Sequence, residues 1–148
     1  MKSTPRTNDQ IRNMKNQAII LNVLCRKAFV QNQSLKNYSP LVRRTLNYIN
    51  FNLSKSLSLK ILAEEFNVNP NYLSTIFKKE VNVSLTDYIN SQRINLAIKL
   101  LNTSDMQIQD IAWYVGINDV NYFTKLFKKK IGYTPTQYKK KIKSDKLY

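Results

Sequence analysis

Residues 108–138 read IQDIAWYVGINDVNYFTKLFKKKIGYTPTQY, and residues 59–88 read LKILAEEFNVNPNYLSTIFKKEVNVSLTDY. The two stretches match along their length when one residue, Asp119, is treated as an insertion in the second. Phe77-Lys78-Lys79 pairs with Phe127-Lys128-Lys129, and Asn71-Tyr72 pairs with Asn121-Tyr122. The chain therefore contains two copies of one structural unit, and this repeat organises its second half.

Each copy is predicted to form a short helix, a tight turn and a second helix. Apolar residues recur at helical spacing in the first part of each copy. They are Leu59, Leu62, Ala63 and Phe66 in the first copy and Ile108, Ile111, Ala112 and Val115 in the second. Asn67 and Gly116 follow these runs at equivalent points, and Asn82 and Gly132 follow the second helices. Because Asn and Gly enter the left-handed region most cheaply, all four positions are predicted to have positive φ.

The second helix of each copy has an apolar stripe and a polar, cationic outer face. Asn69-Pro70 begins the first of these helices, and Asn118-Asp119 begins the other. The stripes are Leu73, Ile76 and Phe77, and Phe123, Leu126 and Phe127. Two helices joined by a short turn form a helix-turn-helix, and an outer face of amides, hydroxyls and lysines suits a DNA major groove. The predicted recognition helices cover about 70–79 and 119–129.

A long helix is predicted to connect the two units. Ser84-x-x-Asp87 resembles a capping box, and the helix runs from about residue 84 to 101. The first helix-turn-helix covers about 58–81 and the second about 106–131, and a final helix follows at about 135–142. The predicted fold is therefore all-α, with two helix-turn-helix subdomains joined by a connecting helix and preceded by an N-terminal helical segment.

Composition excludes most enzyme classes. The chain has no His and one Cys, so Ser-His-Asp and Cys-His catalysis and a His-containing zinc site are excluded. Only two glycines occur, so no phosphate-binding glycine-rich loop can be written. No apolar stretch approaches the length of a membrane span. We expect no enzymatic activity, no cofactor or metal, and no membrane partner, whereas the net charge of +15 points to a polyanion.

Residues 59 to about 143 resemble the DNA-binding domain of the AraC/XylS family of bacterial transcription regulators. The motifs that carry the resemblance are Leu62-Ala63-Glu64-Glu65-Phe66, Pro70-Asn71-Tyr72-Leu73-Ser74, Val115-Gly116-Ile117 and Gly132-Tyr133-Thr134-Pro135-Thr136-Gln137-Tyr138. Many family members have Gly where this chain has Asn82, and Pro where it has Val120, so the local turns are expected to differ slightly. The resemblance implies a domain over 39–143, followed by a tail over 144–148, that inserts both recognition helices into successive major-groove segments of double-stranded DNA.

The resemblance also implies the base-facing positions. They are Asn71, Ser74, Thr75, Asn121, Thr124 and Lys125. Equivalent placement in both copies predicts that Lys78, Lys79, Lys128 and Lys129 bind phosphates. For Arg93 two alternatives are open, a phosphate contact or an ion pair with an acid such as Asp87. Because the base-facing set has no Arg, we expect A·T-rich sites or shape readout.

The large aromatic and aliphatic residues of the two units are predicted to belong to the core. This prediction covers Leu73, Phe77, Trp113, Phe123 and Phe127. None of them is assigned a contact with a partner.

The N-terminal part is unusually basic. Residues 1–57 contain ten Lys or Arg and one acid, so +9 of the total charge lies there. Ser39-Pro40 begins a helix that resembles the family's first helix, and Ile11 to Phe29 reads as an amphipathic helix within a basic extension over 1–38. That extension is too short for the separate regulatory domain common in the family. Two explanations stay open: an effector-independent regulator, or a helix that self-associates or binds a partner such as RNA polymerase.

Two function classes follow from the sequence. The first is a sequence-specific transcription regulator of the bacterial cytoplasm, associated with the nucleoid. The alternative is a basic or architectural protein that binds nucleic acid without sequence choice. Specific binding survives added salt with a large affinity ratio over random duplex, whereas pure phosphate binding weakens equally for every sequence.

Overall fold

The computed structural model describes residues 37–145, and this part of the chain consists of seven helices without a strand. The helices are α1 Pro40–Phe51, α2 Leu59–Glu65, α3 Pro70–Val81, α4 Leu85–Thr103, α5 Ile108–Tyr114, α6 Val120–Ile131 and α7 Pro135–Asp145. The prediction of an all-α fold with two helix-turn-helix units and a connecting helix is confirmed over these residues. The predicted helix at Ile11 to Phe29 lies outside the described residues, as does the end of the tail.

The first subdomain is formed by α1, α2 and α3. Helix α3 packs on both α1 and α2, because its apolar stripe faces them. Leu73 and Phe77 of that stripe are fully buried. Val42, Leu46 and Ile49 of α1 are buried with them.

The second subdomain repeats this arrangement with α5 and α6. Phe123 and Phe127 are fully buried at the positions that correspond to Leu73 and Phe77. In each copy the last aromatic of the recognition helix meets a tyrosine of the helix that follows. The ring centroids of Phe77 and Tyr88 are 5.6 Å apart, and those of Phe127 and Tyr138 are 5.7 Å apart, both in edge-to-face geometry. The repeat seen in the sequence is therefore a repeat of packing as well.

Side-chain caps begin both recognition helices. Asn69 Oδ1 accepts the backbone N–H groups of residues 71 and 72 at 2.8 and 3.3 Å. Asp119 Oδ1 accepts those of residues 121 and 122 at 2.8 and 3.1 Å. The two caps are thus equivalent, which makes Val120 the counterpart of Pro70. The assignment of Asp119 as the inserted residue is wrong: the extra residue lies in the turn before it, because the cap fixes the register of the helix.

The four positions predicted to need positive φ all have it. The φ angles are 51° at Asn67, 62° at Asn82, 86° at Gly116 and 89° at Gly132. At Asn82 and Gly132 the N–H of the left-handed residue donates to the carbonyl of Lys78 or Lys128. These positions end the helices and fix the direction of the chain after each of them.

The connecting helix α4 lies at the centre of the molecule. It packs against α3 of the first subdomain and against α5, α6 and α7 of the second. Its predicted cap is present, since Ser84 Oγ accepts the Asp87 N–H at 3.1 Å. Leu96 and Leu100 are buried on the same side of α4 as Leu85 and Ile89. Ile94, Ala97 and Leu101 are buried on another side, because α4 has neighbours on several sides. A single apolar stripe is typical of a helix that is covered on one face only, whereas α4 is covered on more than one face.

The final helix α7 begins with a full capping box. Thr134 Oγ1 accepts the Gln137 N–H at 3.3 Å, and Gln137 Oε1 accepts the Thr134 N–H at 2.9 Å. The helix extends to Asp145, three residues beyond the predicted end. Over the described residues, no helix combines the length and apolar character needed to cross a membrane.

Candidate DNA-binding surface

The outer face of α3 carries the predicted contact residues of the first copy. Asn71, Thr75, Lys78 and Lys79 are exposed, and Ser74 is half-buried at the edge of the face. The Asn69 cap holds the first turn of the helix, so the N–H of Asn71 is satisfied by the fold. The structure therefore brings these five side chains together on one helix.

The outer face of α6 has the same order of exposure. Asn121, Lys125, Lys128 and Lys129 are exposed, and Thr124 is half-buried. Each residue has its counterpart in α3 at the same distance from the cap, so the two helices present matching surfaces. Amide and hydroxyl groups lie in the first turns, where base edges would be read, and ammonium groups follow toward the end.

The lysines lie in the last turn of each recognition helix. Cations at a helix C-terminus stabilise the negative end of the macrodipole, typically by about 0.3–1 kcal/mol. This contribution requires no DNA, so Lys78, Lys79, Lys128 and Lys129 have a structural role in addition to the predicted phosphate contacts. The exposed ammonium groups are nevertheless placed where a polyanion can reach them.

Two exposed tyrosines next to the asparagines predicted to face bases had no assigned role. Tyr72 is 56% exposed and Tyr122 is 48% exposed, each one residue after the first predicted base-facing position. Tyr122 OH accepts a hydrogen bond from Asn90 Nδ2 of α4 at 3.4 Å. The sequence indicated that both tyrosines are exposed, because the Asn-Tyr pair occurs in both copies and neither Tyr belongs to the apolar stripe.

Arg93 hydrogen-bonds to backbone carbonyls and not to Asp87, the acid that the sequence offered as one of its two alternatives. Its Nε donates to the Leu53 carbonyl at 3.2 Å, and its Nη2 donates to the Lys55 carbonyl at 2.9 Å. Asp87, the predicted acid partner, instead accepts a hydrogen bond from Ser84 Oγ at 2.7 Å. The guanidinium is therefore held by backbone of the loop between α1 and α2, and the phosphate contact stays a prediction.

Trp113 corrects the prediction that the large aromatics of the two units are all core residues. Its side chain is 71% exposed, whereas Leu73, Phe77, Phe123 and Phe127 are fully buried. In the repeat Trp113 corresponds to Glu64, which is also exposed. The position lies on the outer side of the first helix of its unit, so residue type alone led to the wrong prediction.

Comparison with known proteins gives a family match over most of the described chain. A helix-turn-helix domain family matches residues 62–141, from the first buried leucine of α2 to α7. The match includes both helix-turn-helix units and the connecting helix between them.

The relatives include two proteins of Bacillus subtilis strain 168. The HTH-type transcriptional regulator YfiF is 32% identical over 117 residues, which are 79% of this chain and 37% of YfiF. The bifunctional transcriptional activator/DNA repair enzyme AdaA is 33% identical over 124 residues, which are 84% of this chain and 58% of AdaA. The chain thus spans less than two thirds of the length of these relatives.

Among solved structures, the C-terminal domain of AraT, a response regulator from Geobacillus stearothermophilus, has the same architecture. It is 36% identical to this chain with a TM-score of 0.70, and the match covers 72% of this chain and 88% of that domain.

Proposed function

The chain belongs to the AraC/XylS-type family of helix-turn-helix transcription regulators, and from that membership we propose that it binds double-stranded DNA at specific sequences. Helices α3 and α6 enter adjacent segments of the major groove. Asn71, Ser74 and Thr75 read bases in one segment, and the other is read by Asn121, Thr124 and Lys125. Lys78, Lys79, Lys128 and Lys129 bind phosphates on either side.

The observation that carries this proposal is the matching exposure of the two helices. Equivalent amide, hydroxyl and ammonium side chains project from α3 and α6 at equal distances from their caps. The chemical types agree at every pair except Thr75 and Lys125, and a solvated surface without function does not require such agreement. Two matched faces on one connected scaffold suit a duplex, whose major groove offers equivalent segments one helical turn apart.

Selection of duplexes from a random pool tests the proposal. The full chain is incubated with the pool at physiological salt, and the bound duplexes are enriched over several rounds and sequenced. We expect two enriched half-sites, rich in A·T pairs, separated by about 10 bp from centre to centre. A pool that stays random after enrichment would contradict sequence-specific binding and would favour the alternative of a basic protein without sequence choice.

The same selection reports the number of protomers on the duplex. One protomer gives one pair of half-sites, while two protomers give an inverted or direct repeat of that pair. We propose a single protomer as the binding unit, because one chain already carries two recognition helices. A repeated pair would instead support self-association through the N-terminal extension, the alternative that the sequence left open.

The family consists of transcription regulators, and we propose that this chain has no catalytic activity of its own. AdaA shows that a relative combines the regulator with an enzyme, but this chain matches only part of its length. We place the regulator in the bacterial cytoplasm on nucleoid DNA, with RNA polymerase as a second partner. Reporter transcription from a selected site, measured with and without the chain, separates activation from repression.

A further inference from the structure

Three segments of the chain meet around Arg93 in α4. The two carbonyls that accept its hydrogen bonds belong to residues 53 and 55, in the loop that joins α1 to α2. This loop is part of the first subdomain. The planar fork of a guanidinium can donate in two fixed directions at once, which a flexible ammonium cannot do. Arg93 therefore holds α4 and the first subdomain in one defined relation.

The second subdomain reaches the same place through Gly116, at the turn between α5 and α6. A Cβ added to Gly116 would lie 2.2 Å from the Leu53 carbonyl oxygen and 2.9 Å from Arg93 Nη2. These distances are shorter than real Cβ contacts, so only a residue without a side chain allows the approach. The turn of the second helix-turn-helix thus rests directly on the loop of the first subdomain and on the guanidinium.

Arg93, the loop at Leu53 and Gly116 form a junction between the two subdomains, and this junction is partly shielded from solvent. Burial lowers the pKa of Arg93 from its ordinary value, and the nearby Tyr122 opposes part of this shift. An arginine side chain remains protonated in proteins, so a full charge stays at the junction and is solvated by backbone carbonyls. Tyr122 lies on recognition helix α6 and is bonded to Asn90 of α4, so the same neighbourhood continues to the DNA-facing side.

We propose that Arg93, seated against Gly116, is the positioning residue that sets the separation and the relative rotation of the two recognition helices. It thereby selects the spacing between the two half-sites on DNA without touching a base or a phosphate. This proposal rests on the proposed function, because spacing has meaning only if both helices read the duplex.

The geometry of DNA makes binding depend strongly on how rigidly this junction holds the two recognition helices. One added base pair moves a half-site by about 3.4 Å and rotates it by roughly 35° about the duplex axis. If the two recognition helices are held rigidly, they cannot adjust to the shifted half-site. If they are held flexibly, they can adjust to it, but they bind with lower affinity because they are less preorganised. The junction therefore predicts strong discrimination between spacings, and its removal predicts weak discrimination.

A first test needs no DNA. Spin labels are placed at Lys79→Cys and Lys129→Cys in the Cys25→Ser chain, and the distance distribution between them is measured by pulsed electron paramagnetic resonance. We expect a narrow distribution with Arg93 and a clearly broader one with Arg93→Gln or Arg93→Lys. Equal widths in folded chains, as judged by circular dichroism, would overturn the proposal whatever the protein binds.

A second test measures spacing directly on the duplex recovered from the random pool. Affinities are compared for that duplex and for versions with one base pair inserted or deleted between the half-sites. We expect at least about a tenfold loss per step for the unmodified chain, and about threefold or less for Arg93→Gln and Arg93→Lys. An unchanged ratio would contradict the positioning role, while failure to enrich any duplex would count against the proposed function alone.

Lys99→Gln is the matched control, because it removes one exposed positive charge from the same helix. It should leave the label distances and the spacing ratio unchanged. A phosphate contact by Arg93 would give a different pattern: Arg93→Gln would lower the salt dependence of binding by about one charge, and Arg93→Lys would preserve it. That pattern with intact spacing discrimination would assign Arg93 to the DNA contacts and overturn the inference.

Discussion

At the scale of single residues, the two copies explain why glycine is required at one left-handed position and not at the other. The first copy has Asn at both positions, with φ angles of 51° and 62°. The second copy has Gly116, where a Cβ would collide with Leu53 O, and Gly132, which has no atom within 4 Å of such a Cβ. Positive φ is thus common to all four positions, but close packing occurs at Gly116.

We expect Gly132→Asn to leave the free energy of unfolding within about 0.5 kcal/mol, since Asn82 already occupies the equivalent position in the first copy. Gly116→Asn should lower it by more than about 2 kcal/mol, because the new Cβ displaces the loop at Leu53. Urea unfolding followed by circular dichroism measures both variants. Equal losses would show that backbone strain alone decides the residue type.

Single residues of the recognition faces should separate base reading from phosphate binding. We expect Asn71→Ala and Lys125→Ala each to relax preference at a few base pairs and to cost about 1–3 kcal/mol on the best site. Lys79→Ala should weaken binding to all duplexes alike and reduce the salt slope by about one. Competition binding with single-base variants of the selected site measures these effects. If all three variants act uniformly, the base-facing assignment is wrong.

At the scale of helices, the caps determine where each recognition helix begins. Asp119 accepts two backbone N–H groups in the first turn of α6, and Asn69 does the same in α3. The caps therefore fix which residues face outward, because a shift of one residue would rotate the polar face by 100°.

We expect Asp119→Ala to lower the free energy of unfolding by about 1 kcal/mol and Asp119→Asn to change it little, since Asn is an equally good N-cap. The alanine variant should also weaken DNA binding, because the frayed first turn contains Asn121. Thermal unfolding and binding to the selected duplex measure the two effects. Asp105→Ala, at an exposed acid outside the helices, is the control.

A second tie between helices lies at the other end of α3. Glu80 Oε2 accepts the backbone N–H of Ser39, the N-cap residue of α1, at 2.9 Å. The carboxylate satisfies a donor at the start of α1 and lies near the positive end of that helix. The end of the recognition helix is thereby attached to the point where the basic N-terminal extension joins the domain.

We expect Glu80→Ala to lower the free energy of unfolding by roughly 1–2 kcal/mol, because one N–H at the start of α1 loses its acceptor. Glu80→Gln keeps an acceptor oxygen and should lose less than half of that amount. Chemical denaturation of both variants, with the exposed Glu64→Ala as reference, decides between them. A loss as large in Glu64→Ala would attribute the effect to net charge.

At the scale of the whole molecule, α4 makes the two helix-turn-helix units one cooperative body. Leu100 is fully buried in the second half of α4, and Tyr88 in the first half of the same helix contacts Phe77 of α3. The junction at Arg93 adds a direct contact between the subdomains. A substitution that destabilises one unit should therefore also destabilise the other.

We expect Leu100→Ala to lower the free energy of unfolding by about 2–5 kcal/mol through the cavity it leaves. Because α4 is shared, amide hydrogen exchange should accelerate in α3 as well as in α6, even though Leu100 lies in the second half of α4. Exchange followed by mass spectrometry measures both helices. Acceleration restricted to α5, α6 and α7 would show that the subdomains unfold independently.

Much of the candidate site could be predicted from local sequence. The caps at Asn69 and Ser84, the left-handed positions and the buried stripes of α3 and α6 depend on interactions within a few residues. Such interactions give the same sequence pattern in any fold, and the repeat shows each pattern twice in this chain. Exposure of the predicted contact face followed directly, since a helix with a covered stripe has an opposite side.

Residues that depend on distant partners could not be predicted in this way. Trp113 is not one of them, because it lies outside the apolar stripe of its helix and corresponds to the exposed Glu64, so the repeat itself indicated its 71% exposure. Helix α4 is buried on two sides, one with Leu96 and Leu100 and one with Ile94 and Leu101, because helices from other parts of the chain approach it from several directions. For Arg93 the sequence offered a phosphate or an acid such as Asp87 on its own helix, while the carbonyls that accept its hydrogen bonds are about forty residues earlier in the chain.

The sequence alone determined the fold class, the two helix-turn-helix units and the faces of their recognition helices, because helix periodicity and capping are short-range effects. The tertiary structure decided how the two units are joined: Arg93 and Gly116 meet the loop at Leu53 through contacts between segments far apart in the chain. Close packing of backbone against backbone has no local sequence pattern, since it depends on where three segments converge. The separation and relative rotation of the two recognition helices are therefore set by the tertiary structure.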